Sequence, residues 1–200
     1  MNTEWLLSFI AFAFATAGTP GPNNLMLAAS GATFGLRRTL RHVFGVSLGF
    51  AAMIAAVGLG LAGLFEALPG LKTLLKWIGG AYLLFLAWKI ATTTPAGTNN
   101  GETPRGQPLT FIQAAAFQWV NPKAWSMVLA MMGVYAGHNM GHAADMLTMA
   151  GLFAIIGTIT AGSWTLMGEF AGRLLSARQL VWFNRLMALL LVASLALMWR

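Results

Sequence analysis

The chain has 200 residues, of which 58% are hydrophobic and 8% charged; a soluble domain carries roughly 25% charged residues, so this balance excludes one and points to an all-α, polytopic membrane protein. The formal net charge of +7 is spread over short connections rather than gathered on one polar face, which reads as membrane topology and not as a nucleic-acid surface. With no cysteine, disulfides, thiolate metal sites and cysteine nucleophiles are excluded, and no cofactor is expected.

Six apolar spans are expected, at 5–30, 43–65, 71–91, 109–136, 146–169 and 182–199, each long enough for a bilayer core of about 30 Å. The first carries a small-x-small triplet, Ala15-Thr16-Ala17, but opens with Glu4 and no Lys or Arg, and resumes as apolar sequence at Leu25. It is therefore expected to stay in the chain and not to leave as a signal peptide. The second span holds Gly45-x-x-x-Gly49 and Gly58, Gly60 and Gly63, small residues that let helices approach closely. Lys72 and Lys76 open the third span one turn apart, where they can snorkel to the headgroups.

A polar linker at 93–108 then divides one transmembrane domain, 1–200, into half-repeats of about 1–92 and 109–200. Each half holds three spans, an odd number, so the second half is expected to enter the membrane inverted. The connections carry Arg37, Arg38, Arg41, Lys89, Arg105, Arg173, Arg178 and Arg185 on one side against Lys72, Lys76 and Arg200 on the other. By the positive-inside rule the first set is cytoplasmic and both termini lie outside. Trp5, Trp77, Trp88, Trp182 and Trp199 fall near span ends, as an interfacial belt requires.

Two spans are broken. The first is interrupted by Thr19-Pro20-Gly21-Pro22-Asn23-Asn24 and the fourth by Asn121-Pro122-Lys123, each near its middle and so near the bilayer midplane. Proline suits the first turn of a helix, so Pro22 and Pro122 are expected to start new helices whose free amides face a cavity. Such ends attract a carboxylate, with Lys123 adding a cation. Oxygens of Thr19, Asn23, Asn24 and Asn121, with freed carbonyls, would hold an ammonium group. The set suits a small zwitterion, and paired broken helices in inverted halves are the sequence pointer to a secondary transporter. Trp119 and Trp125 would either add a cation–π face or pack.

Proton coupling asks for a titratable group on the path; Glu66 and Glu169 are the candidates, set against a plain flanking role beside Lys72 or Arg173. A rival reading takes His138, His142 and Asp145 as metal ligands for binding or divalent-metal efflux, because His-x3-His would put two imidazoles on one helical face. Gly137 and Gly141 weaken that helix. The histidines His42, His138 and His142 all fall in expected loops, and hydrolase motifs are missing, so an enzyme is not expected.

Thr19 to Asn24 followed by Leu-Met resembles the N-terminal signature of the LysE/RhtB family of amino-acid exporters. The stretch from Trp77 to Lys89 is similar to the family's third span, Phe117 to Trp125 with Asn121-Pro122-Lys123-Ala124 to its fourth, and Asn184-Arg185 to its ending. The resemblance implies a bacterial inner-membrane exporter of amino acids or close derivatives, driven by the proton gradient, with lipid around it and a homodimer left open. Members often carry a histidine or another polar residue in the second span where this chain has Met53, so the likeness does not supply the coupling residue.

Overall fold

The computed structural model describes residues 2–61, 69–93 and 106–198, and every described element is helical. In chain order these are α1 (Thr3–Gly18), α2 (Pro22–Ala56, ending in the π turn Val57–Leu61), α3 (Pro69–Thr92), α4 (Phe111–Phe117), α5 (Pro122–Tyr135), α6 (His142–Leu174) and α7 (Ala177–Met198). Four stretches are long and apolar enough to cross a membrane: Pro22–Leu61, Thr73–Thr92, His142–Leu174 and Ala177–Leu195. Large apolar side chains such as Trp77, Trp88, Ile155, Phe170 and Leu189 are more than half exposed along them, the outward face that lipid covers and water would not.

The first of these stretches is a hairpin. Gly35 adopts φ 76 and ψ 166, a backbone conformation that a side chain would strain, and α2 doubles back there. Ser30 and Thr39 hydroxyls lie 3.2 Å apart, whereas nine residues of straight helix would separate them by about 14 Å. The connection expected between the first two spans is thus a one-residue corner, and Arg37, Arg38 and Arg41 stand on the exposed face of a helix. His42, expected in a loop, is instead inside α2 and buried.

Glu169 of α6 holds this corner. Its carboxylate accepts from the Leu36 amide at 2.9 Å and pairs with Arg173 one turn on, satisfying a donor at the start of the returning segment. Glu169→Ala is expected to cost about 1 kcal/mol, as loss of an N-cap does, read as a lower thermal unfolding midpoint in detergent. Glu169→Gln keeps an acceptor and should lose less.

Close backbone approach joins α2 to α6. A Cβ built on Gly168 would lie 2.0 Å from the Ala28 carbonyl oxygen, one on Gly31 2.1 Å from that of Thr165, and one on Gly172 2.3 Å from that of Ala32. Only hydrogen fits there. Gly45 and Gly49 meet α4 in the same way, against Phe111 and Ala115, so the packing expectation for that motif holds. The broken helices cross over: α1 lies on α6, through Phe9 edge-to-face on Phe153 at 6.0 Å, and α4 lies on the returning segment of α2.

Two apolar clusters bracket the interior. One gathers Trp5, Phe9, Phe50, Met53, Val128, Met131 and Phe153 from α1, α2, α5 and α6. The other gathers Leu27, Val43, Leu83, Leu86, Phe117 and Leu191 from α2, α3, α4 and α7. Lipid is as apolar as these side chains, so what holds the clusters together is close van der Waals packing and not escape from water.

Candidate functional site

Both breaks form where the sequence places them. The first, Thr19 to Gly21, is extended, with α2 starting at Pro22; the second turns at Asn121, with α5 starting at Pro122. In each case the missing proline N–H falls on an amide that a first turn leaves unpaired anyway. The carbonyls freed before the first break are already taken. Thr16 accepts from the Thr19 hydroxyl at 2.8 Å, Ala17 and Thr19 from the Asn24 amide at 2.8 Å each, and Gly18 from the Trp164 indole at 3.1 Å. These oxygens therefore brace the break.

The two breaks touch. Lys123 donates from Nζ to the Thr19 carbonyl at 2.7 Å and to its hydroxyl at 2.9 Å. A Cβ on Gly21 would sit 2.7 Å from Lys123 Cδ, so the absence of a side chain there lets the lysine lie across the start of α2. Asn23 and Gln118 form a two-way amide pair, Asn23 donating at 2.8 Å and Gln118 returning at 3.3 Å. Gln118 also donates to the Ala114 carbonyl at 2.8 Å, anchoring the pair to α4.

The helix starts differ. At α5, Asn121 accepts from the Lys123 amide at 3.1 Å and so caps its own helix. At α2, Gly21 supplies no side-chain cap, which leaves first-turn amides and the positive end of the dipole without a side-chain partner. An uncapped helix start beside a lysine ammonium is a carboxylate-binding geometry.

Between the breaks lies a cavity walled by Gly21, Asn23, Asn24, Asn121 and Lys123, with Ser47, Phe50, Gln118, Phe153 and Thr160 among its other lining residues. The space open to the centre of a water molecule is about 50 Å³, against about 10–15 Å³ for one water, so it holds a few waters as it stands. Thr19, Pro20, Pro22 and Pro122 shape the breaks without lining it. Gln118, Trp164, Ser47 and Thr160 carry no motif and were not legible as site residues; each is one polar or aromatic position within an apolar helix.

The remaining candidates lie elsewhere. Glu169 is at the α2 corner, and Glu66 lies outside the described residues. Asp145 is buried and accepts from the Asn139 amide at 3.0 Å and the Met140 amide at 2.9 Å, so both its oxygens cap a loop. Gly141 at φ 102 starts α6 at His142, which leaves His138 off the helix and dissolves the shared face that the metal reading needed. Among the described residues no three His, Asp or Glu converge as ligands. Trp119 and Trp125 pack edge to face at 6.3 Å, and the Trp125 indole donates to the Trp119 carbonyl at 2.8 Å.

Among the described residues every element is helical, apolar faces point outward and a small cavity with polar groups lies between two broken helices, an arrangement that defines a polytopic membrane protein. The family model described as LysE type translocator matches residues 14–198, and the chain belongs to that family, one of membrane transporters and not of enzymes. It is 34% identical to the cysteine/O-acetylserine efflux protein of Salmonella choleraesuis over 195 residues, 96% of each chain. The protein of the same description from Escherichia coli O1:K1 is 33% identical over 195 residues, also 96% of each. That from Klebsiella pneumoniae subsp. pneumoniae is 32% identical over 184 residues, 91% of this chain and 92% of its own. No solved structure matches the chain.

Proposed function

We propose that this protein exports small zwitterionic amino acids or their close derivatives across the bacterial inner membrane, exchanging them for protons by alternating access. The observation that carries the reading is the meeting of Lys123 with the uncapped start of α2 over a cavity that Asn23, Asn121, Gln118 and Thr160 help to line. Lys123 and the α2 amides receive the solute carboxylate, while Asn23, Asn121 and the Ser47 and Thr160 hydroxyls face its polar remainder. The efflux proteins named above act on cysteine and O-acetylserine, and small polar amino acids of that kind are the substrates proposed here.

The same reading takes the fold as six spans in two inverted three-helix halves, with both termini outside. What supports it is the crossed packing, in which the broken helix of each half lies along the long helix of the other. α1 with the first segment of α2 is matched by α4 with α5, the returning segment of α2 by α6, and α3 by α7.

The test is a panel of labelled amino acids effluxed from proteoliposomes with and without a pH gradient. Efflux of small neutral amino acids, faster with the gradient and lost in Asn121→Ala, is the expected result. Efflux of divalent metal and of no amino acid would replace this reading with the metal one.

A further inference from the structure

A second cavity lies beyond the first, between the two segments of α2, α3 and α7. It is lined by Ser30, Thr33, His42, Lys89, Gln107 and Asn184 among others. His42 is 1% exposed and neither ring nitrogen has a hydrogen-bond partner; Asn184 is equally buried, its Oδ1 is without a donor, and its amide nitrogen donates to Thr33 at 3.0 Å. Unsatisfied polar atoms cost free energy in the interior, and the three that border this space, two on His42 and one on Asn184, would find partners if water entered it. Its room for water centres is about 40 Å³, enough for about three waters and too little for an amino acid in this conformation. Gln107, Pro108 and Leu109 line both this cavity and a recess beside Arg37, Arg38 and Arg41, so the two spaces are neighbours.

We propose that His42 is the proton-binding residue that couples export to the proton gradient, loading and unloading through water in this cavity. The proposal rests on the functional reading above and names the group that reading lacks. The free ring nitrogen takes a proton from hydronium, leaving water, and returns it to water on release; nothing else is consumed. His42 and Val46 are one turn apart on α2, and Val46 with Ser47 lines the solute cavity. A shift of α2 therefore alters both sites together.

The groups facing His42 are few. α3 presents the Lys89 cation, the first segment of α2 the Ser30 and Thr33 hydroxyls, α7 the Asn184 amide, and the stretch before α4 the Gln107 amide. On its own helix, Arg38 stacks over Phe34 at 5.3 Å and Arg41 faces the recess. From α6, Glu169 sits at Leu36, about 9 Å along the helix axis, and is paired with Arg173.

The test uses the purified full chain in proteoliposomes and compares two rates: amino-acid exchange at equal pH, and transport driven by an imposed pH gradient. His42→Gln is expected to exchange within about twofold of the unaltered protein and to lose the acceleration by the gradient. Retained acceleration in His42→Gln would overturn the proposal. So would loss of exchange in both His42→Gln and His42→Asn, which would put His42 in the solute path or the fold. If the unaltered protein exchanges no amino acid, the functional reading itself falls and this proposal falls with it.

Discussion

Replacing Lys123 by methionine is expected to lower amino-acid export by about 10- to 100-fold while the protein still reaches the membrane. Methionine keeps the length and apolar stem of lysine and removes only the ammonium. That group makes two hydrogen bonds to Thr19 and stands at the uncapped start of α2. A hydrogen bond to a charged group contributes about 1.5–3 kcal/mol, and every 1.4 kcal/mol is a factor of ten. Initial export rates of a labelled substrate, normalised to protein in the membrane fraction, measure the loss. An unaltered rate would show that the ammonium only ties the breaks together and that the carboxylate binds elsewhere.

Gly168→Leu is expected to abolish the folded protein. The Cβ alone would lie 2.0 Å from the Ala28 carbonyl oxygen, so relief requires the α2 and α6 backbones to separate, and the three glycine contacts of that seam open together. Overpacking against movable side chains already costs about 1–3 kcal/mol, and backbone moves less readily. Even Gly168→Ala should reduce yield, whereas Gly162→Leu, with nothing near its Cβ, should not. Recovery of monodisperse protein after size-exclusion chromatography reads the difference.

The sequence carried the breaks well because proline, glycine and asparagine have strong local consequences: Pro22 and Pro122 begin helices and Asn121 caps one, as those residue types require. It carried the contact between the breaks only as an expectation from repeat position, since Lys123 and Thr19 are 104 positions apart. In sequence the α2 corner looks like a connection of a dozen residues with three arginines, while a single positive φ at Gly35 reverses the chain. Gln118, Ser47, Thr160 and Trp164 were invisible for another reason. A lone hydroxyl, amide or indole in an apolar helix has the same local pattern whether it meets a cavity, a carbonyl or lipid, and only the tertiary packing decides. His42 follows the same logic, being next to Arg41 in sequence yet turned inward by the helix.

If the cavity between the breaks receives the transported solute, substrate will protect a thiol placed there. Thr160 lines the cavity, and the chain has no cysteine of its own, so Thr160→Cys introduces one reporter with little change in volume. A saturating amount of the exported amino acid should slow its modification by a small, membrane-permeant thiol reagent, and a non-substrate should not. Equal modification rates with and without an amino acid that the variant demonstrably exports would place the solute path elsewhere.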